Sequence, residues 1–109
     1  MDSYFHSLKD LKPKEPVKGI SVRSVYLDNA MLIRMEFEPG SIMPEHNHPH
    51  EQITLILEGG MDMTVGGIRK IVLKGDVISV PANVAHSAQV LDEFTVAIDA
   101  WSPPREDYK

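Results

Sequence analysis

Histidines are concentrated in one short part of the sequence. Three of the five, His46, His48 and His50, fall within five residues, and Gln52 follows at the same spacing of two. On an extended segment alternate side chains point to the same side, so positions 46, 48, 50 and 52 are predicted to share one face. A buried face of imidazole and amide groups needs a common partner, because each unpaired polar atom costs about 1–3 kcal/mol. A divalent metal ion is such a partner, and the spacing therefore predicts a metal site.

His86 is the candidate for a further ligand of this site. It lies forty residues after His46, where another predicted strand begins after the turn at residues 81–83. His50 competes with Gln52 for the remaining position, and Pro49, which disturbs the alternation ahead of His50, favours Gln52. The predicted metal ligands are therefore His46, His48, Gln52 and His86.

The absence of cysteine narrows the chemistry further. It excludes a disulfide scaffold, a thiolate nucleophile, a cysteine zinc finger and an iron–sulfur cluster. Every predicted ligand is neutral, so the metal would keep its full double charge and attract an anionic ligand. Imidazole-rich sites completed by oxygen suit Zn, Ni, Fe, Mn or Cu, and the donor set leaves the identity of this one divalent ion undecided.

A second group of chemically capable residues stands near the C-terminal end of the sequence. Asp99 and Trp101 share one face of a predicted strand, and Arg105 follows beyond Pro103 and Pro104. Asp99 is a candidate general acid or base, Trp101 a stacking surface for a sugar ring, and Arg105 a bidentate grip for a carboxylate. The alternative is that Asp99 and Arg105 pair with each other while Trp101 plugs the end of the barrel.

The chain is short and acidic, with 109 residues, 11 Lys and Arg against 16 Asp and Glu, and a formal net charge of −5. This length suffices for one domain with a single core. The acidic excess, without a basic cluster, argues against nucleic acid and anionic membrane surfaces as partners. An apolar run of membrane-spanning length and a secretory leader pattern are both missing, so a cytoplasmic location is expected.

Short β-rich runs separated by turn residues extend from residue 20 onward. Gly66 and Gly67 suit a tight hairpin turn, and Asn83 tolerates a left-handed backbone. Hairpin-length loops imply antiparallel pairing, and the runs predict an all-β jelly-roll domain over residues 20–109. Residues 1–19 are predicted to be a lead-in, extended over 12–18, with a helical turn or two near Phe5–Leu11. The predicted strands are Ile20–Leu27, Ala30–Phe37, Ile53–Glu58, Met61–Val65, Ile68–Leu73, Val77–Val80, His86–Leu91 and Phe94–Trp101.

The residues of the predicted metal site also resemble the sequence motifs of the cupin superfamily. Its first motif is Gly, five residues, His-x-His, three or four residues, Glu, six residues and Gly. This chain has Gly40, His46, His48, Gln52 and Gly59 at those spacings. Gln52 stands where glutamate is usual, and this departure removes the carboxylate from the site.

The second cupin motif is Gly, five residues, Pro-x-Gly, two residues, His, three residues and Asn. The matching residues are Gly75, Pro81, Asn83, His86 and Val90, so that Asn83 and Val90 replace the usual Gly and Asn. The resemblance implies a single-domain cupin double-stranded β-helix, a jelly-roll barrel that holds a metal ion on the histidines of the two motifs.

The run from Asp99 to Asp107 resembles a narrower group, the KdgF-type cupins of pectin and alginate degradation. In these proteins an Asp, an aromatic residue and an Arg surround a metal held by three His and one Gln. Asp99, Trp101 and Arg105 match them, with Trp101 where Phe is usual. The resemblance implies an enzyme that opens and ketonises 4,5-unsaturated uronate monomers, so the expected partner is a small anionic sugar acid. The alternatives are a non-catalytic metal cupin that binds a small molecule, and a cupin-type dioxygenase.

The same alternation predicts what lies on the outside of the barrel. If Gln52 faces inward, the apolar side chains at the intervening positions face outward. A homodimer that buries such a face is expected, the alternative being that the N-terminal segment covers it. The outward residues would be Ile53, Leu55 and Leu57 on one strand and Phe94, Val96 and Ile98 on another.

Overall fold

The predicted all-β jelly roll is confirmed by the computed structural model, which describes residues 4–109 as two antiparallel sheets. A 3-10 turn at Leu8–Asp10 stands where a helical turn or two was predicted, and a second lies at Glu106–Tyr108. No helix among residues 4–109 is long and apolar enough to cross a membrane. The strands are β1 (Lys14–Val17), β2 (Ile20–Tyr26), β3 (Met31–Phe37), β4 (Ile42–His46), β5 (Glu51–Glu58), β6 (Gly60–Val65), β7 (Ile68–Leu73), β8 (Val77–Val80), β9 (His86–Val90) and β10 (Thr95–Ser102).

The two sheets differ in size. The large sheet has the order β1-β2-β3-β10-β5-β8, and the small sheet has the order β4-β9-β6-β7. In β3, Ile33, Met35 and Phe37 are buried while Leu32 is exposed. This period of two is expected for a strand with one face toward a core. The buried apolar side chains of both sheets form one cluster between them.

Two strands, β1 and β4, were not predicted, and both contain a proline. Pro16 lies in β1 and Pro44 in β4, and each strand is at the edge of its sheet. Proline cannot donate a backbone hydrogen bond, so it is tolerated in a sheet mainly at such an edge. Residues 14–17 of the predicted lead-in are extended as expected, but they pair with β2 and so belong to the large sheet. Residues 1–3 of the lead-in lie outside the described part of the chain.

The predicted hairpin turn between β6 and β7 is confirmed. Gly66 and Gly67 have φ of 56° and 80°, the positive values that this turn requires at both central positions. Asn83 has φ of 66° and is the non-glycine residue with positive φ in residues 4–109. The turn that contains Asn83 leads into β9, and it therefore helps to place His86.

Gly59 lies where the chain passes from the large sheet to the small sheet, and not within a hairpin. β5 belongs to the large sheet and β6 to the small sheet. At Gly59 φ is 75°, and a Cβ there would meet the side chain of Thr95 and, at 2.7 Å, the carbonyl oxygen of Phe94. Thr95 is fully buried and accepts a hydrogen bond from the amide of Gly60 at 3.1 Å. The corner has no room for a side chain at position 59.

Gly59→Ala is expected to lower the free energy of unfolding by about 3 kcal/mol or more, because backbone strain and a steric clash add together. Gly67→Ala is the matched control: its φ is 80° but no atom lies within 4 Å of the added Cβ. The control should therefore lose only about 1–2 kcal/mol of strain energy. Urea denaturation of both variants measures the difference, and equal losses would show that the corner tolerates a Cβ.

The outward face of the large sheet follows the predicted alternation on β5 but not on β10. Ile53 and Leu55 are exposed, as predicted. Val96, predicted to face outward with Phe94, is buried at 2% exposure. The physical reason is a register shift between Val96 and Ala97 in the pairing with β5, which breaks the alternation at that point.

Candidate metal centre

The residues predicted to hold a metal come from both sheets. His46 ends β4 and lies opposite His86 of β9 in the small sheet. Gln52 lies on β5 opposite Trp101 of β10 in the large sheet. His48 is buried in the connection 47–50, where the chain passes from one sheet to the other. The site therefore straddles the gap between the sheets.

The single extended segment predicted over residues 46–52 is wrong, because β4 ends at His46 and β5 begins at Glu51. A bend at Pro49 and His50 interrupts the alternation. The His50 ring lies 5.5 Å from that of His48, centroid to centroid, and stands outside the close group of ligand atoms formed by the other three histidines. The geometry therefore favours Gln52 over His50 beside the histidine cluster.

The other three histidines of the predicted site, His46, His48 and His86, converge on one point. Ligand nitrogens of His46, His48 and His86 all lie within 4.8 Å of one another. His48 Nε2 and His86 Nε2 are 3.2 Å apart. Two nitrogens that bind one metal ion at about 2.1 Å are separated by about 3.0–3.4 Å at octahedral or tetrahedral angles. This spacing fits a shared ion.

Backbone carbonyls hold the three rings in the orientation that a metal requires. A carbonyl oxygen can only accept a hydrogen bond, so each Nδ1 that faces one carries the proton, and Nε2 is left with a free electron pair. The three rings therefore present Nε2 toward the centre. The contacts are His46 Nδ1 to the Pro44 oxygen (2.8 Å), His48 Nδ1 to the His50 oxygen (3.0 Å) and His86 Nδ1 to the Val84 oxygen (2.9 Å).

Burial lowers the pKa of His48 and of His86 below the ordinary value for histidine. Loss of solvation disfavours the charged imidazolium, and the neighbouring positive charges act in the same direction. Both rings are therefore neutral at neutral pH. Neutral imidazole is the form that binds a metal ion.

Gln52 is oriented by two neighbours on the large sheet. Its Nε2 donates to Thr54 Oγ1 at 3.0 Å and to Asp99 Oδ2 at 3.4 Å. Its Oε1 is buried and has no hydrogen-bond partner among the described residues. An amide oxygen with a free electron pair beside three Nε2 atoms fits an oxygen ligand of a divalent metal ion.

Asp99 is 2% exposed and reaches the same cavity from β10. Burial raises the pKa of its carboxyl group to about 7. Its Oδ1 has no hydrogen-bond partner among the described residues. A carboxyl group with such a pKa is both protonated and ionised in measurable amounts near neutral pH, which is the property of an effective general acid and base.

Arg105 lies at the edge of the cavity and does not pair with Asp99. Its Nε and Nη2 donate to the carboxylate of Asp107, at 3.1 and 2.7 Å. Its Cζ lies 5.1 Å from the ring centre of Trp101 and 4.2 Å from that of Tyr108. Burial would raise the pKa of Asp107, but the hydrogen bonds from Arg105 hold it below the usual value. Trp101 is 4% exposed and contacts the cavity from within this stack.

The cavity has a free volume of about 40 Å³, which is room for only a few water molecules. Its polar lining includes His46, His86, Gln52 and Asp99. The remaining lining is largely apolar and was not singled out from the sequence. Four of its residues occupy alternate positions on β3 and β6, and Met43 lies on β4. The apolar part of the lining consists of Met35, Phe37, Met43, Met61 and Met63.

The fold and the three-histidine site together define the class of this protein. The model of the cupin domain family matches residues 33–98, and the chain belongs to that family. Among characterised proteins, it is similar to the pectin degradation protein KdgF of Dickeya dadantii (strain 3937), with 32% identity over 82 residues, 74% of each chain. The chain is thus a homologue of KdgF within the cupins.

Solved structures share the fold of this chain. An RmlC-like cupin from Shewanella frigidimarina NCIMB 400 aligns over 99% of this chain and 97% of its own, with a TM-score of 0.91 and 26% identity. The structure of KdgF from a Halomonas species covers 98% of both chains, with a TM-score of 0.87 and 24% identity. Oxalate decarboxylase of Bacillus subtilis shares the fold over 94% of this chain, with a TM-score of 0.83 and 22% identity, and this chain covers 30% of the decarboxylase.

The raised pKa of Asp99 leads to a prediction about metal-stripped protein. The pKa of this carboxyl group is about 7 in the folded state, whereas in the unfolded chain it has its ordinary value of 3.8. Between these values the folded state binds more protons, so this carboxyl group makes stability fall as the pH rises. Asp99→Asn mimics the protonated form. Relative to the variant, the wild type should lose several kcal/mol between pH 4 and pH 7, since each pKa unit corresponds to about 1.4 kcal/mol.

Urea denaturation of both proteins across this pH range measures the difference in unfolding free energy. Asp62→Asn is the matched control, because the Asp62 carboxylate pairs with Arg69 and its pKa is lowered by that hydrogen bond. Its difference from wild type should stay constant above pH 5. A constant difference for Asp99→Asn over the same range would mean that Asp99 is ionised throughout.

Proposed function

We propose that this protein is a metal-dependent enzyme that opens the ring of 4,5-unsaturated uronate monomers and converts them to the open-chain keto form. The observation that carries the proposal is the buried carboxyl group of Asp99, with a pKa of about 7, in one cavity with the histidine cluster. The similarity to KdgF, a pectin degradation protein, supports a sugar acid as the substrate class.

In this proposal His46, His48, Gln52 and His86 hold one divalent metal ion. The free Oε1 of Gln52 and the converging nitrogens supply four neutral donors. When bound, the ion acts as a Lewis acid that polarises a substrate oxygen. The surrounding apolar side chains exclude water, which strengthens every electrostatic interaction within the cavity.

Asp99 has the position and pKa to carry the proton that the reaction moves. Ring opening breaks the bond between C1 and the ring oxygen, and Asp99 accepts the proton of the C1 hydroxyl as C1 becomes an aldehyde. The ring oxygen becomes the enol oxygen on C5. Asp99 then gives a proton to C4, and the enol proton is released as C5 becomes a ketone. The ring oxygen takes up one proton and later loses it, so the product is an isomer of the substrate and no redox partner is needed.

Arg105 is the cation for the substrate carboxylate. It lines the cavity, and its planar fork binds a carboxylate through two parallel hydrogen bonds in its contact with Asp107. A substrate carboxylate would take over or share this contact. The local charge of Arg105 and of the metal ion attracts an anion in spite of the net charge of −5.

The test follows the ultraviolet absorbance of the C4=C5 double bond of an unsaturated monouronate. Chelator-stripped protein should be inactive, and adding Zn, Ni, Fe, Mn or Cu one at a time should restore the loss of absorbance. Asp99→Asn and Arg105→Ala in the best metal form should each lose about 100-fold or more in kcat/KM, the usual contribution of a proton-transfer or positioning group.

The Asp62–Arg69 pair lies outside the cavity and provides matched controls, since Asp62→Asn and Arg69→Ala delete the same chemical groups there. Both should keep wild-type rates. Metal-loaded wild type that leaves the absorbance unchanged would refute the proposed function. Full activity in Asp99→Asn would refute the role of Asp99, and oxygen uptake during turnover would indicate a dioxygenase.

We also propose that the outer face of the large sheet joins two copies of the chain. Exposed and half-buried apolar side chains stand next to one another on four adjacent strands of this face, in two rows set by the strand register. A patch rich in apolar side chains can pack against its own copy across a twofold axis, which is the arrangement of a symmetric contact. The rows are Leu32, Ala100 and Ile53, and Ile98, Leu55 and Val77.

Light scattering tests the dimer. The wild type should have twice the mass of one chain, and Leu55→Lys, which places a charge in the second row, should have the mass of one chain. Ile68→Lys is the matched control, because Ile68 is an exposed apolar residue of β7 in the small sheet. This control should remain dimeric. A wild-type mass of one chain at working concentration would contradict the proposal.

A further inference from the structure

Tyr108 was not singled out from the sequence, yet it is one of the most buried aromatic residues. It is 5% exposed, although it belongs to a 3-10 turn whose other two residues, Glu106 and Asp107, are exposed. Its side chain lines the cavity together with His46, His86 and Asp99. A large aromatic side chain on a surface turn is therefore directed into the proposed active site.

Several contacts hold Tyr108 in this position. Its ring lies perpendicular to that of Trp101, with centroids 5.9 Å apart, and the Arg105 guanidinium packs over its face. Ser24 Oγ donates to the carbonyl oxygen of Tyr108 at 2.7 Å, which fastens the turn to β2. Two different elements of the fold thus fix the ring.

Tyr108 and Arg105 also form a wall between two spaces. On one side is the cavity of about 40 Å³, and on the other is an outer groove of about 390 Å³ beside β4 and the 47–48 loop. Met43 and His46 line both spaces as well. The outer groove carries the carboxylates of Glu45 and Asp107. Removal of the wall would join the metal site to a space many times larger.

We infer that Tyr108 is the residue that sets the size limit of the ligand: its ring closes the cavity toward the outer groove and keeps a second sugar, attached to a uronate ring, from extending out of the metal site into the groove. The inference rests on the proposed function for the identity of the first ring. Without the Tyr108 ring, a second sugar would extend over Arg105 into the groove. An uncharged second sugar is favoured there, because Glu45 and Asp107 repel a second carboxylate.

Trp101 is the single tryptophan of the chain and lies behind this wall, so its fluorescence reports on closure independently of activity. Quenching by acrylamide should be weak in the wild type and severalfold stronger in Tyr108→Ala. Tyr108→Phe keeps the ring and should quench like the wild type. Tyr4→Ala, which deletes a tyrosine ring that is 89% exposed, is the matched control and should also be unchanged.

A second experiment tests binding with an unsaturated uronyl–N-acetylhexosamine disaccharide. The C1 oxygen of its uronate ring is part of the glycosidic bond, so the disaccharide can bind but its uronate ring cannot open. It should not inhibit wild-type turnover of the monouronate, and it should inhibit Tyr108→Ala competitively. Ser24→Ala keeps the Tyr108 ring but removes the hydrogen bond that fastens the 106–108 turn to β2. Quenching of Trp101 in this variant should be intermediate. The variant takes the place of Tyr108→Ala in the quenching comparison if Tyr108→Ala fails to fold.

The outcomes separate the two hypotheses. Wild type that is inactive on the monouronate would refute the proposed function while the quenching comparison still decides whether Tyr108 closes the cavity. Active wild type together with equal quenching in wild type, Tyr108→Ala and Ser24→Ala would overturn the inference alone. Inhibition of wild type and Tyr108→Ala by the disaccharide to the same extent would also overturn it.

Discussion

Two imidazole nitrogens with free electron pairs, His48 Nε2 and His86 Nε2, lie 3.2 Å apart inside the protein, and the rest of the structure depends on this contact. Two such atoms repel each other unless a positive centre lies between them. Neither ring can turn its protonated nitrogen inward without breaking a hydrogen bond from Nδ1 to a backbone carbonyl. The arrangement is therefore prepared for a metal ion before one binds.

The two sheets each position part of the metal site. The small sheet brings His46 and His86 into register, and the large sheet carries Gln52 opposite Trp101. The connection 47–50 places His48 in the gap between them. The chain also changes sheets at Gly59, between β5 and β6, where the lack of a side chain leaves the buried hydroxyl of Thr95 undisturbed.

The cavity lining is partly polar and partly apolar, and this mixture explains the state of Asp99. The methionine side chains remove water from the space that the carboxyl group faces, and burial raises its pKa to about 7. The charge of Arg105 opposes this rise, but its guanidinium pairs with Asp107 and not with Asp99. Asp107 is thus kept ionised by its ion pair with Arg105, whereas Asp99 has no ion-pair partner and is partly protonated near neutral pH.

The strands with alternating apolar residues and turn residues at both ends were predictable from local pattern, because such patterns act over a few residues. The two edge strands were not, since Pro16 and Pro44 disfavour a strand everywhere except at an edge, and edges exist only once the sheet is assembled. The same limit applied at Val96, where a register shift between strands distant in sequence buried a residue that the alternation placed outside.

The sequence by itself determined which chemical groups are available: closely spaced histidines, one glutamine in place of a carboxylate, and no thiol. These follow from residue type and spacing alone. Only the tertiary structure decided which groups meet. It set His50 outside the close histidine group, paired Arg105 with Asp107 and brought Tyr108 to the cavity, because these contacts depend on how the connection 47–50 and the 106–108 turn pack against the two sheets.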